Sequence, residues 1–185
     1  ISQDLRQSFN WAKYINWLGW HSLRTSKGIN IEFMPTKIGS LVKIQRPPNL
    51  NHQDLREIES LLLPYKPMFI KIEPSQNQDT AIFEESGYVP SYSPLAPPST
   101  IHLDLTLNEQ ELMKKISKTG RYLIRNTDTQ TRFIKSPPHE DLKKFYEVAF
   151  ETSRKQKFTL QSFADLQKKA EIFQDDAVLA LGYDQ

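Results

Sequence analysis

Apolar residues recur at helical spacing through residues 3–18, where Leu5, Phe9, Ala12, Ile15 and Trp17 form one stripe before Gly19 supplies a stop. Residues 29–34 and 41–44 instead alternate apolar with polar on either side of Gly39. That is the pattern of two antiparallel strands around a short turn. Pro47 and Pro48 end the ladder because proline donates no amide hydrogen bond. Asn51 opens a second helix carrying Leu55, Ile58, Leu61 and Leu62, which Pro64 closes. The pattern then predicts a short, mostly buried strand over 68–72, a helix over 80–86 capped by Gly87, and another strand over 88–92.

Four prolines between residues 90 and 98 resist helix and sheet alike, and the domain boundary is expected near residue 98. Beyond it the order begins again with a strand over 101–105 and a helix from 108 to about 126, which Asn108 and Glu111 start. A strand over 132–135 precedes a helix from about 140 to 154, striped by Leu142, Phe145, Tyr146, Ala149 and Phe150. A helix over 161–173 and a strand over 177–183 complete the series. The expected fold class is α/β in the mixed α+β sense, with residues 1–98 as a first domain and 99–185 as the beginning of a second. Because the chain opens at Ile1 and stops just after a strand-like run, we expect a longer native protein trimmed at both ends.

Composition narrows the chemistry. With 38% hydrophobic and 25% charged residues, the 185-residue chain can build a core and is not disordered as a whole. Its 24 basic and 22 acidic side chains are evenly spread, which argues against a general polyanion-binding surface. Residues 114–135 are the exception, holding Lys114, Lys115, Lys118, Arg121, Arg125, Arg132 and Lys135 against Asp128 alone. The absence of cysteine excludes a disulfide framework, a thiolate metal site and a cysteine nucleophile, and is compatible with a reducing cytoplasm. His21, His52, His102 and His139 are scattered, so neither a metal site nor a catalytic triad is expected. No apolar run reaches the roughly 18 residues of a membrane span.

Six segments occur in a telling order: Ser8-Phe9-Asn10-Trp11-Ala12-Lys13, Gln45-Arg46-Pro47, Phe69-Ile70-Lys71-Ile72-Glu73-Pro74, Ser86-Gly87-Tyr88-Val89-Pro90, Thr100-Ile101-His102-Leu103-Asp104-Leu105 and Ser117-Lys118-Thr119-Gly120-Arg121-Tyr122-Leu123-Ile124-Arg125. This series resembles the FemX and FemA/FemB family of peptidoglycan bridge-forming aminoacyltransferases. The resemblance implies tandem GNAT-like domains, a groove for a cell-wall precursor and a channel for aminoacyl-tRNA. The precursor would be UDP-MurNAc-pentapeptide or a lipid-linked muropeptide. It implies no cofactor, and we expect a monomer for which peripheral membrane contact is open. No heptad repeat persists, so the chain is more similar to FemX than to FemA. By the same resemblance Lys13 matches a lysine that contacts the uridine-diphosphate end of the precursor, and Glu73 matches an aspartate of the peptide groove. Gln161 and Phe163 stand where the family carries an arginine and a tyrosine, and a reaction-assisting lysine would fall beyond Gln185.

Transfer from an ester to an amine needs alignment and oxyanion stabilisation, not a nucleophilic side chain. Glu73 is the candidate catalytic carboxylate, to orient or deprotonate the attacking amine; its plain alternative is a solvated strand end. Lys13 is the candidate phosphate contact, against an exposed helix lysine. Trp11, with Trp17 and Trp20, suits base stacking or core packing. Arg121 and Arg125, four apart, can reach one phosphate or form a solvated face, and Arg46 can line the groove. Two other functions fit: an acyl-CoA-dependent N-acetyltransferase and a non-catalytic module that binds tRNA or a cell-wall precursor. The first is disfavoured because Pro74-Ser75-Gln76-Asn77-Gln78 offers no glycine-rich pyrophosphate loop.

Overall fold

The computed structural model describes residues 4–95, 97, 103–126 and 129–184, and the chain divides into two compact units, residues 1–97 and 98–185. In the first unit, α1 (Phe9–Trp17) precedes β1 (His21–Arg24), β2 (Asn30–Thr36) and β3 (Gly39–Gln45), then α2 (His52–Leu62), β4 (Pro67–Glu73) and α3 (Ala81–Glu85). The strands form one sheet in the order β1-β2-β3-β4. The first three are antiparallel neighbours, whereas β4 returns through α2 to lie parallel to β3.

Alternation along the strands sorts the two sheet faces. Ile31, Phe33, Val42 and Ile44 point to one face and join Leu55, Ile58 and Leu62 of α2 in the buried core, with Ile70, Ile72, Ile82 and Phe83 packed against it. Asn51 caps α2 in a reciprocal box with Asp54, and Lys27 from the β1–β2 turn pairs with the buried Asp54 at 2.7 Å. The opposite face carries Asn30, Glu32, Lys43 and Gln45, polar residues that are buried or half-buried because α1 covers part of that side.

Gln7 is what holds α1 there. Its side-chain amide sits between two strands, accepting from the Asn30 amide at 2.9 Å and donating to the Gln45 carbonyl at 2.7 Å. It thereby supplies the hydrogen bonds of a missing ladder rung. The Asn30 side-chain nitrogen donates in turn to the carbonyls of Arg6 and Ser8, and Ser8 caps α1.

The second unit comprises α4 (Glu109–Lys115), α5 (Lys118–Asn126), β5 (Thr129–Lys135), α6 (His139–Gln156), α7 (Phe163–Phe173) and β6 (Val178–Asp184). β5 and β6 form an antiparallel ribbon from Thr129↔Asp184 to Lys135↔Val178. Among the described residues its buried hydrophobic side chains are Ile134, Leu142 and Leu179, whereas Phe133, Val148, Phe150 and Val178 remain exposed.

Several expectations need correction. The strand β1 was not foreseen, because His21-Ser22-Leu23-Arg24 holds a single aliphatic residue. Residues 88–92 are not a strand: Tyr88 turns back onto Phe83 and donates to Glu59 at 3.0 Å. The expected strand over 101–105 fails where it can be seen. Ile101 and His102 lie outside the described residues, and Asp104 accepts from both the amide and hydroxyl of Thr106, closing a turn. The helix expected from 108 to 126 is two helices broken at Ile116. β4 is less buried than expected, since Met68 and Phe69 are exposed, and so are Leu5, Phe9 and Trp17 of the first apolar stripe.

Replacing Gln7 by Leu strands the buried Asn30 amide and Gln45 carbonyl. We expect a loss of about 2–4 kcal/mol from the first unit. All three tryptophans lie in that unit, so urea unfolding followed by tryptophan emission reads it directly.

Candidate functional site

The parallel pairing of β3 and β4 brings their carboxyl ends together, with Gln45↔Glu73 in register and the Arg46 amide donating to the Glu73 carbonyl at 2.7 Å. The carboxyl ends of parallel strands are where open sheets leave a crevice. Here the loops that follow them are tied together. Ser75 donates to Asn49, and the Gln78 side chain makes two hydrogen bonds with the Leu50 backbone, at 2.6 and 3.1 Å. Arg46 sits at φ +47°, a left-handed conformation that costs a non-glycine residue energy.

Glu73 shares its sheet face with Lys43, Gln45 and Lys71, because Lys43 pairs with Lys71 one dipeptide earlier in the same register. α1 overlies β1 and β2 on that face. Lys13 and Glu73 are thus on elements of one face, α1 over β1 and β2 and Glu73 at the end of β4 on the opposite edge. Lys13 is exposed with its ammonium 4.8 Å from the centre of the Phe9 ring, itself largely exposed.

Trp11 plays a part that the sequence left between stacking and packing. Its indole N–H donates to Glu32 at 2.7 Å, and Glu32 is buried in an ion pair with Lys43 at 3.0 Å. The Lys43 ammonium also lies 4.4 Å from the Trp20 ring centre. Trp11 therefore holds a buried charge pair beneath α1. Arg46 likewise has an intramolecular partner, donating to the Pro97 carbonyl at 3.2 Å, and Lys71 donates to the Ser93 carbonyl. Both cations are thus bonded to backbone carbonyls, those of Pro97 and Ser93.

In the second unit Arg121 and Arg125 line one open depression of about 550 Å3 with Lys114, Met113, Glu109 and Gln110. Arg121 is committed to structure: its guanidinium reaches the carbonyls of Met113, Lys114 and Ile116, at 2.8 Å for the last, and so closes the C-terminus of α4. Arg125 is the more exposed of the two. A Cβ on Gly120 at the start of α5 would lie 2.6 Å from the Ile116 side chain, which would have to shift to admit it. Gln161 accepts from Lys169 at 2.5 Å, and Phe163 packs edge-on against His139 and tilted against Tyr146. Burial holds the Lys169 ammonium below the usual lysine range, with Asp165 pulling the other way. Among the described residues no group of three acidic or histidine side chains could hold a metal ion. No described helix is long and apolar enough to cross a membrane.

Gln7, Asn30, the Glu32–Lys43 pair and Lys169 were not foreseen. The alternation of polar residues with isoleucine and phenylalanine in residues 29–33 is the pattern of a strand with one solvated face, so the sequence carries no sign that α1 covers Asn30 and Glu32.

The first unit thus has a mixed α/β architecture with a carboxylate at the carboxyl ends of two parallel strands. The FemAB family model matches residues 83–183, more than half of the sequence, and the chain belongs to that family. A comparison with curated proteins finds no match. The matched stretch begins inside α3, so Lys13, Trp11, Arg46 and Glu73 precede it, whereas Arg121, Arg125 and Gln161 fall within it.

Trp11→Phe keeps an aromatic ring but removes the donor to buried Glu32. We expect a loss of about 1–3 kcal/mol in urea unfolding without any ligand, where a purely ligand-stacking tryptophan would leave stability unchanged. Lys169 should titrate below the exposed lysines when followed by NMR. Between its lowered value and the ordinary lysine value the unfolded chain binds more protons, so stability rises with pH there. Lys169→Met should remove that slope.

Proposed function

We propose that the chain contributes the precursor-binding part of an aminoacyltransferase that moves an amino acid from aminoacyl-tRNA to the stem-peptide amino group of a peptidoglycan precursor. Membership of the FemAB family supports the transferase class and the link to peptidoglycan synthesis. The observation that carries the finer reading is the sheet face shared by Glu73, Lys43 and Gln45, with α1 along one side and β4 along the other. The tandem GNAT-like organisation, with a first domain over residues 1–98, belongs to the same proposal.

In this reading Lys13 meets a phosphate oxygen at the nucleotide end, a contact its exposed position on α1 allows. Glu73 receives the acceptor ammonium as a charge-assisted hydrogen bond and orients it. The amine nitrogen attacks the aminoacyl ester carbon, a C–N bond forms, and the C–O bond to the tRNA ribose breaks. Of the two protons the ammonium loses, the first passes to Glu73 before the attack and on to solvent, and the second ends on the ribose oxygen as the C–O bond breaks. Acyl-CoA chemistry is the weaker alternative, because the loop after β4 is glycine-free and hydrogen-bonded to residues 49–50.

The test is calorimetric titration with UDP-MurNAc-pentapeptide, paired with transfer of label from charged tRNA. Lys13→Ala should weaken precursor binding about 10-fold or more. Glu73→Gln should leave binding within a few-fold and lower transfer about 100-fold or more. Unchanged affinity and rate in both variants would remove the site assignment, and acetyl transfer from acetyl-CoA would favour the alternative.

A further inference from the structure

The end of the first unit opposite Glu73 has a different character. There the β2–β3 turn and the α2–β4 turn lie side by side: the Ser40 amide donates to the Lys66 carbonyl at 3.1 Å, and a Cβ on Gly39 would lie 2.5 Å from the same oxygen. Gly39 has φ +151°, and no larger residue fits that approach. Tyr65 is planted on the buried Phe33 ring, 4.4 Å between centres, which fixes the second turn to the sheet. The two turns are therefore one rigid surface.

What they present is unusual for turns. Ile38, at the tip of a tight hairpin where asparagine or glycine is the common choice, is 81% exposed, and Leu63 is 76% exposed. Met68 is exposed beside them. Lys37 and Lys66 flank these apolar tips, also exposed. Neither residues 33–53 nor residues 60–72 contain a single carboxylate. Both apolar tips project from turns that carry lysines and no carboxylate, a charge pattern complementary to an anionic lipid surface.

We propose that this end of the unit docks on an anionic lipid bilayer. Ile38 and Leu63 insert at the acyl boundary, and Lys37 and Lys66 lie at the level of the lipid phosphates with their stems along the apolar layer. β3 and β4 both run away from this end, so Glu73 and Gln45 stand about 20 Å above the lipid, six residues of strand. Docking leaves the candidate crevice open, and the inference does not rest on the transferase reading.

The test is cosedimentation of the 185-residue chain with vesicles of phosphatidylcholine alone and of phosphatidylcholine mixed with phosphatidylglycerol. We expect partition onto the anionic vesicles, released by high salt, and about 25-fold weaker partition onto the neutral ones. Lys37→Gln and Lys66→Gln should each cost about fivefold, and Ile38→Ser and Leu63→Ser about 10-fold each. All four side chains are exposed, and unchanged tryptophan emission verifies the fold in each variant. Absence of binding to anionic vesicles overturns the proposal, as does binding that the serine variants leave intact. A solution dimer that the serine variants dissociate would assign the surface to a second copy instead.

Discussion

A single side-chain amide, that of Gln7, decides how the first unit is assembled. The antiparallel ladder of β2 and β3 lacks a backbone rung near Asn30 and Gln45, and the Gln7 amide occupies the gap with one donated and one accepted bond. Because both ends of that amide are satisfied in a buried position, the segment before α1 can sit in only one register against the sheet. Asn30 extends the constraint by binding the carbonyls of Arg6 and Ser8, and Ser8 then starts the helix. The placement of Trp11 and Lys13 follows from this polar lock, since α1 itself buries only Ala12, Tyr14 and Ile15.

The lock also explains the Glu32–Lys43 pair. Two charges on neighbouring strands would ordinarily face water. Under α1 they are partly desolvated, and the indole of Trp11 and the ring of Trp20 replace the lost solvent contacts. The second unit relies on different means. Among the described residues few apolar side chains are buried there, and helix ends are closed by side chains: Asn108 with Glu111, Ser162 with Asp165, and Arg121 across the break between α4 and α5. The break follows from local chemistry, because Ser117 accepts from the Gly120 amide and starts a new helix.

Elements whose signal is local were legible in the sequence. The helix start at Asn51, the Gly87 stop at φ +84° and the alternating pair around Gly39 appear as expected. The misread segments are those where a tertiary partner overrides composition. Tyr88 and Val89 have strand propensity, but the Tyr88 hydroxyl is drawn to Glu59, and burial followed by that bond raises its pKa above the usual tyrosine value. Leu103-Asp104-Leu105 alternates like a strand, yet the Asp104 carboxylate takes the Thr106 amide and hydroxyl, which also hold it below the usual carboxylate range. For the candidate site, residue types were legible and commitments were not. Nothing in the spacing of Arg121 and Arg125 reveals that one closes a helix, nor does Arg46 before two prolines reveal its bond to Pro97.

The switch from antiparallel to parallel pairing at β4 gives the sheet two unlike ends. Antiparallel neighbours place a turn at each end, so polar and apolar loops would be mixed. Once α2 carries the chain back to run β4 alongside β3, both strands start at the same end and finish at the same end. Their starts share the tight contact between Gly39 and Lys66, with isoleucine, leucine and lysine on show. Their finishes share Gln45, Arg46 and Glu73 within a stitched polar rim. Separation of an apolar, carboxylate-free end from a polar, carboxylate-bearing one thus comes from a single topological choice, and a surface contact at the first end can leave chemistry at the second unobstructed.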